Sequence, residues 1–267
     1  MKPVIALTDF TPAAENATHY AAKLSKELQA TLLLLHVYQI PITMSDMPVI
    51  MVSAEELKNN ADNGLMRVKE ELLNHYPDLQ VTTLSRIGDV ADEVHELTKE
   101  ERPVAVVLGR NKYSGFERAL FGSTAISLLR SFKYPVITVP ENYTFQNFNN
   151  VVLATDLQNI DGTPVEAIQD LFQNHPISLH ILHVTGDNND PKDAGPLLSK
   201  LQFLNPQYHL VHNSDVTKGI EDFVEKINAN LLLVLPHHHK WFESLFTKQH
   251  SKDIIRHVNI PVLTIAD

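Results

Sequence analysis

The feature that most constrains this chain is that it repeats itself, in order, along its length. Val4 to Asp9, VIALTD, returns as VVLATD from Val151 to Asp156, and Leu32 to Val37, LLLLHV, returns as LHILHV from Leu179 to Val184. Both pairs stand at one offset. Asp89-Val90 returns as Asp215-Val216, and YPVITV from Tyr134 to Val139 returns as IPVLTI from Ile260 to Ile265, both at a second, shorter offset. The first half therefore carries about twenty extra residues between its second and third apolar runs. Matches in the same order mean a tandem duplication, which divides the chain into residues 1–145 and 146–267. The polar and aromatic stretch Glu141 to Asn150 reads as the linker.

Within each half, short apolar runs alternate with amphipathic stretches. Residues 3–8, 31–37, 81–86, 104–108 and 136–139 have the length and β-branched content of buried parallel strands. Between them, Thr11 caps a helix with Pro12 at its first position, followed by Ala13, Ala17, Tyr20, Ala21, Leu24 and Leu28 at helical spacing. Leu57, Ala61, Leu65, Val68 and Leu72 mark a long second helix, and Asp89 caps a third. Gln39 to Ser53 lacks a period and reads as a loop or flap. This alternation predicts an α/β fold: two tandem doubly wound parallel-sheet domains, with right-handed crossovers. Ligands of such sheets bind beyond the C-terminal ends of the strands, where the strand order reverses, and Asp9, Val37, Tyr38 and Gly109 stand at such ends.

Composition removes several function classes. A net charge of −10 disfavours nucleic acid and anionic membranes as partners of the general surface. The chain has no cysteine, so disulfides, thiol catalysis and cysteine-bound metal are excluded. The apolar segment of MKPVIALTDF is too short for a secretory signal and no run reaches transmembrane length, so a cytoplasmic location is expected.

The most informative loop follows the fourth strand: Gly109-Arg110-Asn111-Lys112-Tyr113-Ser114-Gly115, then Gly122-Ser123-Thr124 opening a helix. A strand, a polar loop and a helix N-terminus bring free backbone N–H groups and the helix dipole to one phosphate-sized place. On these residues the first half resembles the universal stress protein family over nearly its whole length, and the second half resembles it more loosely. The resemblance implies the adenine-nucleotide alpha-hydrolase-like fold of that family. Its nucleotide binders carry a glycine, a second glycine three residues on, then nine residues, then glycine and a hydroxyl residue. Gly109, Gly122 and Ser123 match; Ser114-Gly115 matches a small pair inside the loop; Lys112 replaces the second glycine. Lysine accepts a positive φ poorly, yet supplies a charge to a phosphate. The same residues also suit a loop that merely packs, with Ser123 as an N-cap.

The resemblance further implies a carboxylate near the ribose at Asp9 and backbone contacts to adenine at Val37 and Tyr38, although Asp9 before Phe10-Thr11-Pro12 also suits a plain turn. The implied ligand set is thus Asp9, Val37, Tyr38, Gly109, Arg110, Lys112, Gly115, Gly122, Ser123 and Thr124, for ATP with Mg²⁺. The second half tests this internally. Its loop reads Leu235-Pro236-His237-His238-His239-Lys240, Lys248-Gln249 lie near the place of the Gly-Ser pair, and no glycine follows Gly219, so a phosphate cradle is not expected there. Adjacent histidines cannot easily face one tetrahedral ion, and His237-His238-His239, with His250 and His257 downstream, read as an exposed polar loop, not a metal site. His36 and His183, at equivalent places, read as core or edge residues kept by the duplication.

Three functions stay open. The leading one, implied by the resemblance, is a non-enzymatic regulator of stress survival in which nucleotide in the first half is read by a protein partner. The second is a scaffold without nucleotide. The third is a slow ATP hydrolase, for which no P-loop or paired-carboxylate metal site speaks. Family members often pair through their last strands, so the two halves are expected to form an internal pseudo-dimer, with a homodimer of chains beyond it.

Overall fold

Local chemistry sets where the elements begin. The Thr11 hydroxyl accepts from Ala14 N at 3.4 Å and Pro12 occupies the first turn of α1 (Pro12–Glu27), while Asp89 accepts from Ala91 N at 2.8 Å to open α3 (Val90–Glu101). The computed structural model describes residues 2–40, 53–110, 134–172, 174–186, 192–235 and 258–265. Most of the expected flap lies outside them.

The remaining elements of the first half are β1 (Val4–Leu7), β2 (Leu32–Tyr38), α2 (Ala54–His75), β3 (Val81–Ile87), β4 (Ala105–Arg110) and β5 (Val136–Pro140). The second half contributes β6 (Asn150–Ala154), α4 (Val165–Phe172), β7 (Ser178–Thr185), α5 (Gly195–Lys200), β8 (Gln207–His212), α6 (Val216–Lys226), β9 (Leu231–Val234) and β10 (Val262–Thr264). The long α2, of 22 residues against 6 in α5, accounts for most of the extra length of the first half.

All the described strands lie in a single ten-stranded sheet of order β3-β2-β1-β4-β5-β10-β9-β6-β7-β8. Each half is parallel throughout, and the repeats pair in the same register: Val4 with Leu32 in one, Val151 with Leu179 in the other. The two parallel sheets meet at one antiparallel seam, Thr138 opposite Val262 and Val136 opposite Thr264. Two strand edges thus cover each other and leave no open backbone row between the halves. A second copy of the chain cannot use these strands, because the halves have already used them on each other.

One face of the sheet carries a core that runs across both halves, from Tyr20 and Leu65 to Phe172 and Leu197. Among the described residues the opposite face carries two core clusters, one under α3 and one under α6. The linker holds the continuous face together. Ring centroids step from Tyr20 to Phe145 at 4.9 Å, to Phe148 at 6.0 Å and to Phe172 at 5.5 Å, so aromatic packing passes from α1 to α4. Asn16 Nδ2 donates to the carbonyls of Pro140 (2.9 Å) and Tyr143 (3.0 Å). The Tyr143 hydroxyl donates to Asn230 O at 3.1 Å, and burial pushes this phenol up to about 12. Asn230 Oδ1 in turn accepts from Asn149 N and Asn150 N at 2.9 and 2.7 Å. The linker is therefore a packed part of the core.

Phe148 is 6% exposed, so Phe148→Ala is expected to lower stability by about 3 kcal/mol through lost burial and the cavity left behind. Urea denaturation followed by circular dichroism should show this as one transition moved to lower midpoint. A loss under about 1 kcal/mol would mean that the ring lies outside the core.

Candidate functional site

The strand order reverses between β1 and β4, where the chain leaves β1 for α1 and β4 for the following loop. The turn after β1 is tightly built. Phe10 has φ 64°, a left-handed conformation that costs a residue with a Cβ about 1–3 kcal/mol. Its N–H donates to Thr8 Oγ1 at 3.1 Å, and Asp9 Oδ1 accepts from Thr11 N (3.1 Å) and Thr11 Oγ1 (2.6 Å). The Thr8 carbonyl takes the Nδ1–H of His36 at 2.8 Å. The Phe10 ring lies 4.4 Å from the His36 ring, over Gly64 of α2, where an added Cβ would stand 2.6 Å from the ring. A glycine in mid-helix costs about 1 kcal/mol, and here it makes the room that Phe10 needs.

The second half repeats this turn, apart from the bond of the Thr11 hydroxyl, whose place is taken by Gln158. Leu157 has φ 57° and donates to Thr155 Oγ1 at 3.0 Å, Asp156 Oδ1 accepts from Gln158 N at 2.9 Å, and His183 Nδ1 donates to Thr155 O at 2.9 Å. His36, half-buried, and His183, 3% exposed, thus hold the first turn of each half from the neighbouring strand.

Backbone direction on β2 opens the crevice. Leu35 O accepts from Thr8 N on the β1 side, and Tyr38 O accepts from Gly88 N on the β3 side. Because N–H and C=O alternate sides along a strand, those of Val37 point to the β1 side. Pairing with β1 ends at Leu7–Leu35. Val37 therefore presents a donor and an acceptor to the crevice, and the half-buried Tyr38 stands beside it with its ring stacked against His36.

Asp9 is exposed at the rim, and among the described residues both of its hydrogen bonds fall on Oδ1. Gly109 packs against the start of α1: an added Cβ would stand 2.3 Å from Ala13 O. The bare backbone here serves the close approach of helix to strand. Arg110 closes β4 as its last residue. Its side chain is 8% exposed and crosses to the second half, where Nη2 donates to Val258 O at 2.7 Å, and burial lowers its pKa to about 10. The last residue of β4 thus points toward the joined half, with one guanidinium nitrogen engaged at the seam and Nη1 buried without a partner among the described residues. Lys112, Gly115, Gly122, Ser123 and Thr124 lie outside the described residues, as do Pro236, His237 to His239, Lys248, Gln249, His250 and His257.

The strand ends of the second half line a cavity of about 200 Å³ among Thr155, Asp156, His183, Gly186, Lys192 and Ile220. Lys192 Nζ donates to the Asp156 carbonyl at 2.9 Å inside it. A larger cavity of about 440 Å³ opens beside the linker, away from both turns, and its wall includes Glu221, Asp222 and Glu225. Such acidic walls disfavour phosphates. Sequence reasoning missed Phe10 and Gly64. The one signal was the shared Thr-Asp followed by an apolar residue in both halves.

A model of the universal stress protein family matches the chain twice, over residues 1–140 and 147–266. A universal stress protein of Synechocystis sp. is 25% identical, over 99% of each chain. Among solved structures, a universal stress protein from Archaeoglobus fulgidus has a TM-score of 0.74 at 17% identity, covering 99% of this chain and 96% of that one. A functionally unknown protein from Pseudomonas aeruginosa PAO1 has a TM-score of 0.58 at 13% identity, covering 100% and 92%. These structural likenesses concern the fold. The duplicated strands, the twin turns and a family model matched once in each half lead to one conclusion: the chain belongs to the universal stress protein family.

Proposed function

We propose that the first half, residues 1–145, binds an adenine nucleotide, ATP with Mg²⁺, in the crevice between β1 and β4. In this reading the chain is a cytoplasmic regulator of stress survival whose nucleotide state is read by a protein partner. Membership in the family supports the stress-response role. The single observation that carries the nucleotide reading is Val37, whose N–H and C=O point into the crevice beyond the end of β1. One donor and one acceptor at that spacing match the hydrogen-bonding edge of a purine.

The other roles follow from position. Asp9 Oδ2 accepts from a ribose hydroxyl, and Tyr38 borders the base. Gly109 offers backbone without a side chain where the phosphates leave the strand end. Lys112, Gly115, Gly122, Ser123 and Thr124 supply the phosphate side, with Lys112 as a point charge in place of a glycine amide. Arg110 is left out, since its buried side chain crosses the seam to the Val258 carbonyl. Residues 146–267 serve as the structural partner half, without a phosphate cradle.

ATP–Mg²⁺ should raise the melting temperature of the purified chain, and nucleotide should appear in the supernatant of denatured protein. Asp9→Ala is expected to weaken binding about tenfold, the worth of one hydrogen bond to a charged group. No shift at millimolar ATP and no released nucleotide would overturn the reading in favour of a scaffold. Accumulation of ADP at a rate that Asp9→Ala abolishes would favour the hydrolase.

Gly109→Ala separates packing from binding. The new Cβ meets Ala13 O at 2.3 Å, so a loss of about 1–3 kcal/mol in stability is expected even without nucleotide. Unchanged stability with lost ATP binding would mean that the glycine serves the ligand alone.

A further inference from the structure

The half without a phosphate cradle still carries a cavity of about 200 Å³ at its strand ends, and Val184 stands in its wall. Along β7, Leu182 O accepts from Thr155 N on the β6 side, and Thr185 O accepts from Asn213 N on the β8 side. Backbone groups alternate sides along a strand, so the N–H and C=O of Val184 face the β6 side. Pairing with β6 ends at Ala154–Leu182, and the chain then turns at Leu157, φ 57°. Val184 is 8% exposed, yet among the described residues neither of these backbone groups has a hydrogen-bond partner. Buried backbone groups are rarely left unpaired, so this donor and this acceptor are satisfied from within the cavity.

Two opposite charges line the same cavity. Lys192 brings its ammonium there, with Nζ donating to Asp156 O at 2.9 Å. The Asp156 carboxylate accepts from Gln158 N through Oδ1, and its Oδ2 accepts no bond among the described residues. Leu182, Val216 and Ile220 add apolar wall. We propose that this cavity binds a small aliphatic α-amino acid as its zwitterion, independently of nucleotide in the first half. The ligand carboxylate accepts from the Val184 N–H beside the Lys192 ammonium. The ligand ammonium donates to the Val184 carbonyl and the Asp156 carboxylate, and its side chain lies against Leu182, Val216 and Ile220.

Size and charge select this class. A volume of about 200 Å³ falls below the range of about 300–1,000 Å³ that takes drug-sized ligands, which excludes a nucleoside triphosphate. At about 30 Å³ for each water molecule, there is room for about six or seven groups of that size. A nucleobase would fit and would pair with Val184. Being uncharged, it would strip water from Lys192 and Asp156 without pairing either. A simple carboxylate or amine would pair one charge and desolvate the other. A zwitterion answers both charges and both backbone groups.

Calorimetric titration of the purified full chain with L-alanine, L-valine and L-leucine tests this, beside isovalerate and isobutylamine, which lack the ammonium and the carboxylate of valine. One or more of the amino acids is expected to bind at millimolar concentration, with both analogues weaker by about tenfold or more. Lys192→Met changes an exposed residue, and Asp156→Asn keeps an acceptor for Gln158 N, so both preserve the fold, as circular dichroism checks. Each is expected to weaken amino-acid binding about tenfold or more, the worth of a hydrogen bond to a charged group, while Lys192→Arg retains it. Bound amino acid should also slow hydrogen exchange in peptides spanning residues 183–186. No heat from any of the three amino acids, analogues that bind as well as L-valine, or affinity unchanged in both Lys192→Met and Asp156→Asn would overturn the proposal.

Discussion

The structure depends on one antiparallel seam. Each half alone would end in an exposed strand, β5 or β10, with a row of unpaired backbone groups and apolar side chains on both faces. Setting Ile137 against Leu263, both fully buried, satisfies the two edges together. The aromatic line from Tyr20 through Phe145 and Phe148 to Phe172 then fills one side of the joint, and Arg110 crosses to Val258. A tandem duplication is stable in this form because each copy supplies what the other lacks. The arrangement also explains why the linker is short and ordered: Asn16 and Asn230 take up backbone groups that the bend at Pro140 to Asn149 would otherwise bury unpaired.

The seam leaves the strand ends of both halves free, and both keep the same strained turn. Phe10 and Leu157 hold left-handed backbone at equivalent places, with the same threonine and the same histidine bonded around them. Strain kept in two copies is tied to their common architecture, because the turn throws α1 or its counterpart across the strand ends. What differs is the surroundings. In the first half the turn is covered by a ring that packs on Gly64, and in the second Lys192 reaches the Asp156 carbonyl. The same scaffold thus carries two different crevices.

Much of this was legible in the sequence. Short apolar runs at fixed offsets placed the strands, and their common offset anticipated the common register of Val4 with Leu32 and Val151 with Leu179. Caps at Thr11 and Asp89 were readable because their chemistry is local. The rest is tertiary. Nothing marks Phe10 as left-handed, since phenylalanine is not a residue that prefers that conformation. Gly64 looks like a defect in a helix until the ring above it is seen. The side chain of Arg110 crosses to Val258, and sequence does not say toward which neighbour the last side chain of a strand turns. The meeting of Lys192 with the Asp156 carbonyl requires two distant stretches of chain to close on each other, which no local pattern records.

The central claim is that two copies of one fold share a sheet while only the first binds nucleotide. Hydrogen exchange followed by mass spectrometry, with and without saturating ATP–Mg²⁺, tests it directly. The account predicts slower exchange on addition of nucleotide in peptides spanning residues 8–11 and 36–38, and no change in peptides spanning 155–158 and 183–186. Protection of the second pair of segments, or of neither pair, would contradict it.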